Sequence, residues 1–302
     1  MFGRRDVVLP VGTILTAMLL VFAPLFGHLA WSADLNDVRA KGVLRHLGIP
    51  YANFVSENGK EGLDVEMVKL FAKELGVKYE YVRSSWEDVI PNLTGKRFST
   101  TGEGVTVVGE APVKGDIIAN GFTILPLRQQ MIDYSIPTFP TQIWLIARSD
   151  SPLNPIKPTG NIDKDIEAVR SLLRGQRLLG KENTCLDPAL YNLEGTGAEI
   201  LLFKGNPEEL VPAIIDGSAD LCLLDMPDAL IGLDKWPGVI KVIGPLSPIQ
   251  SMGSAFAKDS RNLRASFNEF FKRIVADGTY AQLVKKYYPS FSVYYPEYFS
   301  TR

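Results

Sequence analysis

The feature that most constrains the fold is an alternation of short strand-like runs with amphipathic helical runs, which occurs twice along the chain. The first copy comprises predicted strands at residues 43–47, 77–82 and 116–119 and predicted helices at residues 65–75 and from Trp86 onward. Asp64 is placed to cap the first of these helices. Strands that alternate with helices pair in parallel, so the pattern predicts an α/β fold.

The second copy follows a proline-rich stretch at residues 152–158. Its predicted strands are residues 177–180, 199–203 and 220–224, and its predicted helices are residues 186–193 and 207–216. Beyond it, apolar residues at helical spacing between Leu263 and Val275 predict a long helix, which needs a lobe to pack on. The chain has 302 residues, 46% of them hydrophobic, which is enough for two moderate cores.

Charge and cysteine content limit the partners and the chemistry. The formal net charge is −2 and no basic run is present, so nucleic acid is not an expected partner. Cys185 and Cys222 are the two cysteines, and their spacing is typical of neither a metal site nor a redox motif. Cys222 lies in an apolar run, which favours a buried, unbonded thiol over a disulfide.

The N-terminal segment predicts export. Arg4 and Arg5 precede a nearly uncharged apolar stretch at residues 7–29, and the following small residues favour cleavage after Ser32 or Ala33. The alternative is an uncleaved anchor, because about 20 apolar residues can span a bilayer. No cysteine lies near the cleavage site, so a lipid anchor on an N-terminal cysteine is excluded.

Several motifs stand out along the chain: GKEGLD at residues 59–64, SWEDVIPNL at 85–93, DIIANGFTI at 116–124, IDYS at 132–135 and ADGTY at 276–280. Together they resemble family 3 extracellular solute-binding proteins, the amino-acid-binding components of ABC importers. The resemblance covers the mature chain in order. It implies a type II periplasmic-binding-protein fold, in which two α/β lobes are joined by two crossing strands and the ligand lies between them.

On this resemblance, residues 1–33 are the signal segment, residues 34–144 and 252–302 form the first lobe, and residues 145–251 form the second. The implied function is capture of an amino acid in the periplasm and its delivery to an ABC permease. No cofactor, metal or enzymatic activity is expected, and the protein is expected to be a monomer. The alternatives are a dehydratase-type enzyme with Asp64 or Glu182 as its acid, and a membrane-tethered sensor.

An amino acid carries two opposite charges, and enclosing them away from water requires one partner of each sign. Arg128 occupies the family's carboxylate-binding position at the end of TILPLR, and its planar guanidinium can bind a carboxylate bidentately. Asp225 follows the predicted strand at 220–224, at the edge where ligands bind in such sheets. The resemblance assigns it to the ammonium group.

The resemblance also assigns backbone and hydroxyl contacts to the segment of Asn120, Gly121 and Thr123. In the second lobe, Asn183, Thr184 and Cys185 stand in place of the family's Gly-Thr-Thr. A thiol is a weak donor, so Cys185 is not expected to serve a carboxylate as a hydroxyl would.

Aromatic side chains are expected to wall the cleft. Tyr51 matches the aromatic residue that covers the ligand in the family, and Asn53 is expected to contact the ligand's side chain. Phe54, Trp86 and Phe122 are placed either as walls or as ordinary core residues.

Residues 99–115 form an insertion relative to the family, with a Val-Thr-Val-Val run flanked by glycines. The insertion predicts a solvated β-hairpin, because long surface insertions cost little free energy. A docking surface is the alternative.

Overall fold

The computed structural model describes residues 1–3, 33–101, 104–289 and 291. The residues on which the signal-peptide prediction depends, 4–32, lie outside the described residues. Among the described helices, none combines the length and the apolar character that a membrane crossing requires.

The described residues form α-helices and β-strands in an interleaved order. The helices are α1 Leu35–Lys41, α2 Leu63–Leu75, α3 Val89–Thr94, α4 Pro126–Gln129, α5 Ile162–Ser171, α6 Leu210–Ile215, α7 Met226–Lys235, α8 Arg261–Ala276 and α9 Thr279–Tyr287. The strands are β1 Val43–Gly48, β2 Lys78–Arg83, β3 Lys96–Thr101, β4 Gly104–Glu110, β5 Ile117–Ile118, β6 Asp133–Tyr134, β7 Phe139–Thr141, β8 Ile143–Arg148, β9 Arg177–Gly180, β10 Glu199–Leu202, β11 Leu221–Asp225, β12 Ile240–Pro245, β13 Gln250–Met252 and β14 Ala255–Phe256. Short 3₁₀ helices lie at Pro188–Tyr191, Glu194–Thr196 and Pro207–Glu209.

Two five-stranded sheets organise the fold. The first has the order β2-β1-β5-β14-β6, and the second has the order β10-β9-β11-β8-β12. In each sheet three consecutive strands are parallel, as the alternating pattern predicts, and the others run antiparallel to their neighbours. The predicted α/β fold with two lobes is confirmed.

A two-stranded ribbon connects the sheets. β7 pairs with β13 in antiparallel register, with Thr141 opposite Gln250 and Phe139 opposite Met252. β7 leads almost directly into β8 of the second sheet, and β13 leads back to β14 of the first. These are the crossing strands that the resemblance implies. β8 begins at Ile143, and the lobe boundary predicted after Trp144 stays a prediction.

Asp64 does not cap α2, contrary to the sequence prediction. The helix begins at Leu63, two residues before the predicted start, after Gly62 with φ 133°. A Cβ at Gly62 would lie 2.2 Å from the carbonyl oxygen of Phe54, so glycine is required at this entry. Asp64 Oδ2 instead accepts a hydrogen bond from the N–H of Gly121 at 2.7 Å, and it thereby ties α2 to the loop after β5.

Several other predicted helices and strands are longer than the elements that the structure contains. The third strand contains only Ile117–Ile118, and the helix predicted from Trp86 begins at Val89. The helix predicted at 186–193 is a 3₁₀ turn that ends where Asn192 adopts φ 52°. The helix predicted at 207–216 is divided into a 3₁₀ turn and α6. Short elements have few internal hydrogen bonds, so loop geometry decides where they end.

The insertion forms the predicted hairpin. β3 and β4 pair in antiparallel register from Lys96 opposite Glu110 to Thr101 opposite Gly104. The side chains of Val107 and Val108 are 58% and 62% exposed. The hairpin is therefore a projection from the first lobe rather than part of its sheet.

His46 connects β1 to the end of β5 inside the first lobe. The residue is fully buried, its Nε2 lies 2.6 Å from the carbonyl oxygen of Ala119, and its Nδ1 lies 2.9 Å from the Tyr79 hydroxyl. Burial lowers the pKa of His46 to about 4, because the charged ring would lose its hydration. The folded protein therefore holds His46 neutral under conditions where the unfolded chain binds a proton.

We expect acid to destabilise the protein through His46. The stabilisation is complete above the unfolded pKa of about 6.5 and is lost as pH falls toward 4, because protons then bind preferentially to the unfolded chain. Between pH 7.5 and pH 5, the free energy of unfolding should fall by about 2 kcal/mol more in the wild type than in His46→Gln. Urea titrations of both proteins at each pH measure this difference, and parallel pH profiles would contradict it.

Candidate ligand-binding site

Arg128 lies at the carboxyl edge of the first sheet. It belongs to α4, which follows the loop after β5, and it is only 6% exposed. Its Nη1 donates to the carbonyl oxygen of Thr123 at 3.0 Å, and its Nη2 lies 3.5 Å from the carbonyl oxygen of Asn183. The guanidinium carbon lies 4.1 Å from the centre of the Phe122 ring. Within the described residues, Arg128 forms no ion pair with a carboxylate, and its direct contacts are with carbonyl oxygens, the Phe122 ring and the Tyr134 hydroxyl.

Asp225 is the last residue of β11 and is 0% exposed. Its Oδ2 accepts from the Tyr51 hydroxyl at 3.1 Å and from the Cys185 thiol at 2.9 Å, and its Oδ1 accepts from the Thr141 hydroxyl at 3.0 Å. Burial raises the pKa of Asp225, whereas these hydrogen bonds and the positive charge of Arg128 oppose the rise. We call Arg128, Asp225 and the three donors to Asp225 the charge cluster.

The charge cluster joins the two sides of the cleft. Tyr51 of the first lobe donates to Asp225 of the second, and Arg128 reaches the carbonyl of Asn183. Outside the cluster, the N–H of Ala52 donates to Glu208 Oε1 at 3.1 Å. The lobes are therefore in contact, and the structure represents a closed arrangement.

The predicted aromatic residues lie together beside the charge cluster. The Tyr51 ring meets the Trp86 ring edge-on at 5.6 Å and stacks beside Phe54 at 6.3 Å. Trp86 stacks against Phe122 at 6.4 Å, and Phe122 underlies Arg128. The rings form one wall, which is consistent with the predicted role and also contributes to the core of the first lobe.

Gly121 and Thr123 lie in the loop that carries Phe122. Gly121 has φ 63°, and a Cβ there would lie 2.4 Å from the Phe54 ring. Only glycine fits this close approach. The carbonyl oxygen of Thr123 accepts from Arg128 and from the Tyr134 hydroxyl. Among the described residues, the Thr123 hydroxyl has no hydrogen-bond partner of ordinary geometry, and it is buried beside the Cys185 thiol.

The structure does not bring every predicted side chain to the cluster. The Thr184 hydroxyl donates to the carbonyl of Lys181 at 2.8 Å and closes a turn within the second lobe. The Asn53 amide donates to the carbonyl of Tyr287 at 2.7 Å, on the side of α9. Asn183 contributes its carbonyl oxygen rather than its side chain. Cys185 is buried, unbonded to Cys222, and donates to the carboxylate of Asp225.

Three residues of the site were missed from the sequence. Thr141 ends β7 and donates to Asp225, Tyr134 donates to the carbonyl of Thr123, and the Tyr191 hydroxyl donates to the carbonyl of Cys185 at 2.6 Å. Tyr134 lies within the IDYS motif, which offered a signal. Nothing local distinguishes Thr141, because its partner Asp225 lies far away along the chain, and the contact of Tyr191 with Cys185 depends on how the short 3₁₀ segment turns.

Two further carboxylates are buried near the cleft. Burial raises the pKa of Asp64 and of Asp228 to about 7. Asp228 Oδ2 has no hydrogen-bond partner among the described residues. Glu182, in contrast, is exposed and forms an ion pair with Lys204 at 3.4 Å.

A guanidinium from one lobe and a carboxylate from the other, both buried where a ribbon links the lobes, define a class: two-lobed proteins that close over a small ligand. The family described as bacterial extracellular solute-binding proteins, family 3, matches residues 47–110 and 112–290. The chain belongs to this family.

Curated relatives include binding proteins and longer proteins. The histidine-binding periplasmic protein of Salmonella typhimurium is 24% identical, with 81% of this chain and 86% of the relative covered. The membrane-bound lytic murein transglycosylase F of Desulfosudis oleivorans is 26% identical over 90% of this chain and 56% of its own length, and that of Pseudomonas putida is 24% identical over 85% and 48%. The chain thus spans about half the length of these transglycosylases.

Solved structures show the same fold. An ancestral amino acid-binding protein, described as a precursor of cyclohexadienyl dehydratase, is 26% identical with a TM-score of 0.66, and 84% of this chain and 99% of that chain are covered. A mutant of ArgBP from T. maritima gives the same coverage and TM-score at 23% identity.

We expect Arg128→Lys to weaken ligand binding by at least about 10-fold with little effect on folding, because lysine keeps the charge but loses the bidentate geometry. Calorimetric titration with the ligand that gives the largest thermal shift measures the affinity. Arg177→Lys is the matched control, because Arg177 forms a two-point ion pair with Asp220 at the opposite end of the second sheet. An unchanged affinity in Arg128→Lys would remove Arg128 from the site.

Proposed function

We propose that this protein captures a free amino acid between its lobes and delivers it to an ABC importer. The observation that carries the proposal is the charge cluster, in which Arg128 and Asp225 are both buried and come from opposite lobes. A ligand that meets both groups carries an anion at one end and a cation at the other. The α-carboxylate and α-ammonium of an amino acid have this arrangement.

The free-energy balance supports a zwitterion. Burying an ion costs several kcal/mol unless an opposite charge and full hydrogen bonding compensate. Arg128 has donors left for a carboxylate after its two carbonyl contacts, since a guanidinium carries five N–H groups. Asp225 has three donors, and a carboxylate can accept about four hydrogen bonds, so acceptor capacity is left for an ammonium group.

The relatives support the same ligand class. They include proteins named as histidine-binding and octopine-binding, and solved structures described as arginine-binding. These names also describe periplasmic proteins, which supports an exported protein whose partner is a membrane permease. We propose a monomer without catalytic activity, in which closure distinguishes the loaded protein from the empty one.

The second candidate is a dehydratase-type enzyme. It is favoured by the buried Asp64, whose pKa of about 7 suits a general acid, and by the resemblance to a dehydratase precursor. Asp64 accepts a hydrogen bond from the N–H of Gly121 and does not contact the charge cluster, which weighs against the enzyme candidate. Incubation with prephenate or arogenate tests this candidate by the appearance of product.

Asp225→Asn should weaken binding of an amino acid by at least about 10-fold, because only a ligand with an ammonium group requires the negative charge. Folding should not suffer, since the change removes a buried ion without altering shape. Calorimetry with the common amino acids and with small dicarboxylates measures the affinities of the wild type and of Asp225→Asn, and Asp220→Asn is the control. If a dicarboxylate without an amine binds the wild type best, and Asp225→Asn binds it as well, the zwitterion proposal fails.

Ligand should hold the lobes closed. A ligand bound by Arg128 and Asp225 stabilises only the closed arrangement, and this difference in affinity is what a population shift requires. We expect the lobes to hinge at residues 140–144 and 250–254, which overlap the ribbon of β7 and β13. Small-angle scattering should show a smaller radius of gyration with saturating ligand. Equal radii, with binding confirmed in the same sample, would contradict closure as the transport signal.

A further inference from the structure

The side chain of Asn120 is a buried amide without a hydrogen-bond partner in the described part of the chain. Asn120 follows β5 by two residues and is 0% exposed. Neither Nδ2 nor Oδ1 has a hydrogen-bond partner among the described residues. Buried amides are almost always hydrogen-bonded, because the loss of water is otherwise uncompensated. An amide with both ends unpaired therefore points to a group that comes from outside the chain.

The backbone on both sides of Asn120 is held in place. The carbonyl of Ala119 accepts from His46, and the N–H of Gly121 donates to the buried Asp64. The loop therefore cannot easily shift to give the amide a partner within the protein. A fixed polar group of this kind is costly to folding, and an asparagine here is explained by binding rather than by stability.

Asn120 lies in the same loop as the residues that face Arg128. Phe122 underlies the guanidinium, and the carbonyl of Thr123 accepts from it. The loop leaves β5 at the carboxyl edge of the first sheet, which is where ligands bind in sheets of this type. Along the chain, the unpaired amide therefore lies within three residues of Phe122 and Thr123, which contact Arg128.

We propose that Asn120 binds the side chain of the captured amino acid and selects a side chain with a carboxamide or ureido group. This inference rests on the proposed function, because it assumes that the charge cluster holds the α-carboxylate and α-ammonium. An amide needs an acceptor for its N–H groups and a donor for its oxygen. A carboxamide offers both. A guanidinium offers only donors and a carboxylate only acceptors, so either leaves one end of Asn120 unpaired.

Substitution of Asn120 tests the assignment through ligand ranking. L-glutamine, L-citrulline, L-glutamate and L-norleucine are the probes, and calorimetry gives the affinity of each. In the wild type we expect glutamine or citrulline to bind at least about 10-fold more tightly than norleucine and glutamate, because a site with unpaired polar groups rejects an analogue that cannot pair them. In Asn120→Leu the preference over norleucine should fall to about one, since both polar atoms are removed.

A stability measurement separates binding from folding. Asn120→Leu should raise the melting temperature of the unliganded protein, because it removes an uncompensated polar group. Asn92→Leu is the matched control, since Asn92 is also buried in the first lobe but donates to Ser84 Oγ at 2.9 Å. That variant should lower the melting temperature and leave the ligand ranking unchanged.

The outcomes distinguish this inference from the proposed function. If the wild type binds amino acids but their ranking is the same in Asn120→Leu, or if glutamate or norleucine binds best, Asn120 does not select the side chain and only this inference fails. If the wild type binds none of the amino acids tested, the proposed function fails with it.

Discussion

The rest of the structure depends on how Asp225 is compensated. A carboxylate that is fully removed from water must obtain its hydrogen bonds from the protein, and Asp225 obtains them from three separate parts of the chain. Tyr51 comes from the first lobe, Thr141 from the ribbon and Cys185 from the second lobe. Closure of the lobes therefore completes the hydrogen bonding of Asp225, because it adds Tyr51 to the two other donors. Opening the cleft removes Tyr51 and must admit water in its place.

Arg128 presents the opposite situation. Its guanidinium is buried against carbonyl oxygens and the Phe122 ring, which are weaker partners than a carboxylate. Asp225 is nearly saturated by protein donors, whereas Arg128 retains most of its capacity for an anion. The two ends of the cleft thus contribute differently. Under the proposed function, the positive end provides affinity for an anion, and the negative end connects the ligand to the arrangement of the lobes.

The sequence predicted the fold and the charged ends of the site, because both follow from local order. Strand and helix periodicity alternate twice, and Arg128 and Asp225 lie immediately after recognisable motifs and strands. The contact of Thr141 with Asp225 could not be predicted, since it joins residues far apart along the chain, and the Tyr191 contact depends on the turn geometry between Cys185 and Tyr191. Asn53 and Thr184 were misplaced for a related reason. A short polar side chain bonds whichever neighbour the turn presents, here Tyr287 and Lys181.

The hairpin formed by β3 and β4 has a consequence for engineering. Its two strands enter and leave the first lobe side by side, with Lys96 opposite Glu110, so its outer end can change length without moving either junction. Arg128 lies beyond the carboxyl end of β5 and Asp225 lies at the carboxyl end of β11, whereas the chain after the hairpin enters β5 at its amino end. A reporter domain inserted between Thr101 and Gly104 would therefore lie away from the cleft, on a hairpin that belongs to only one of the lobes.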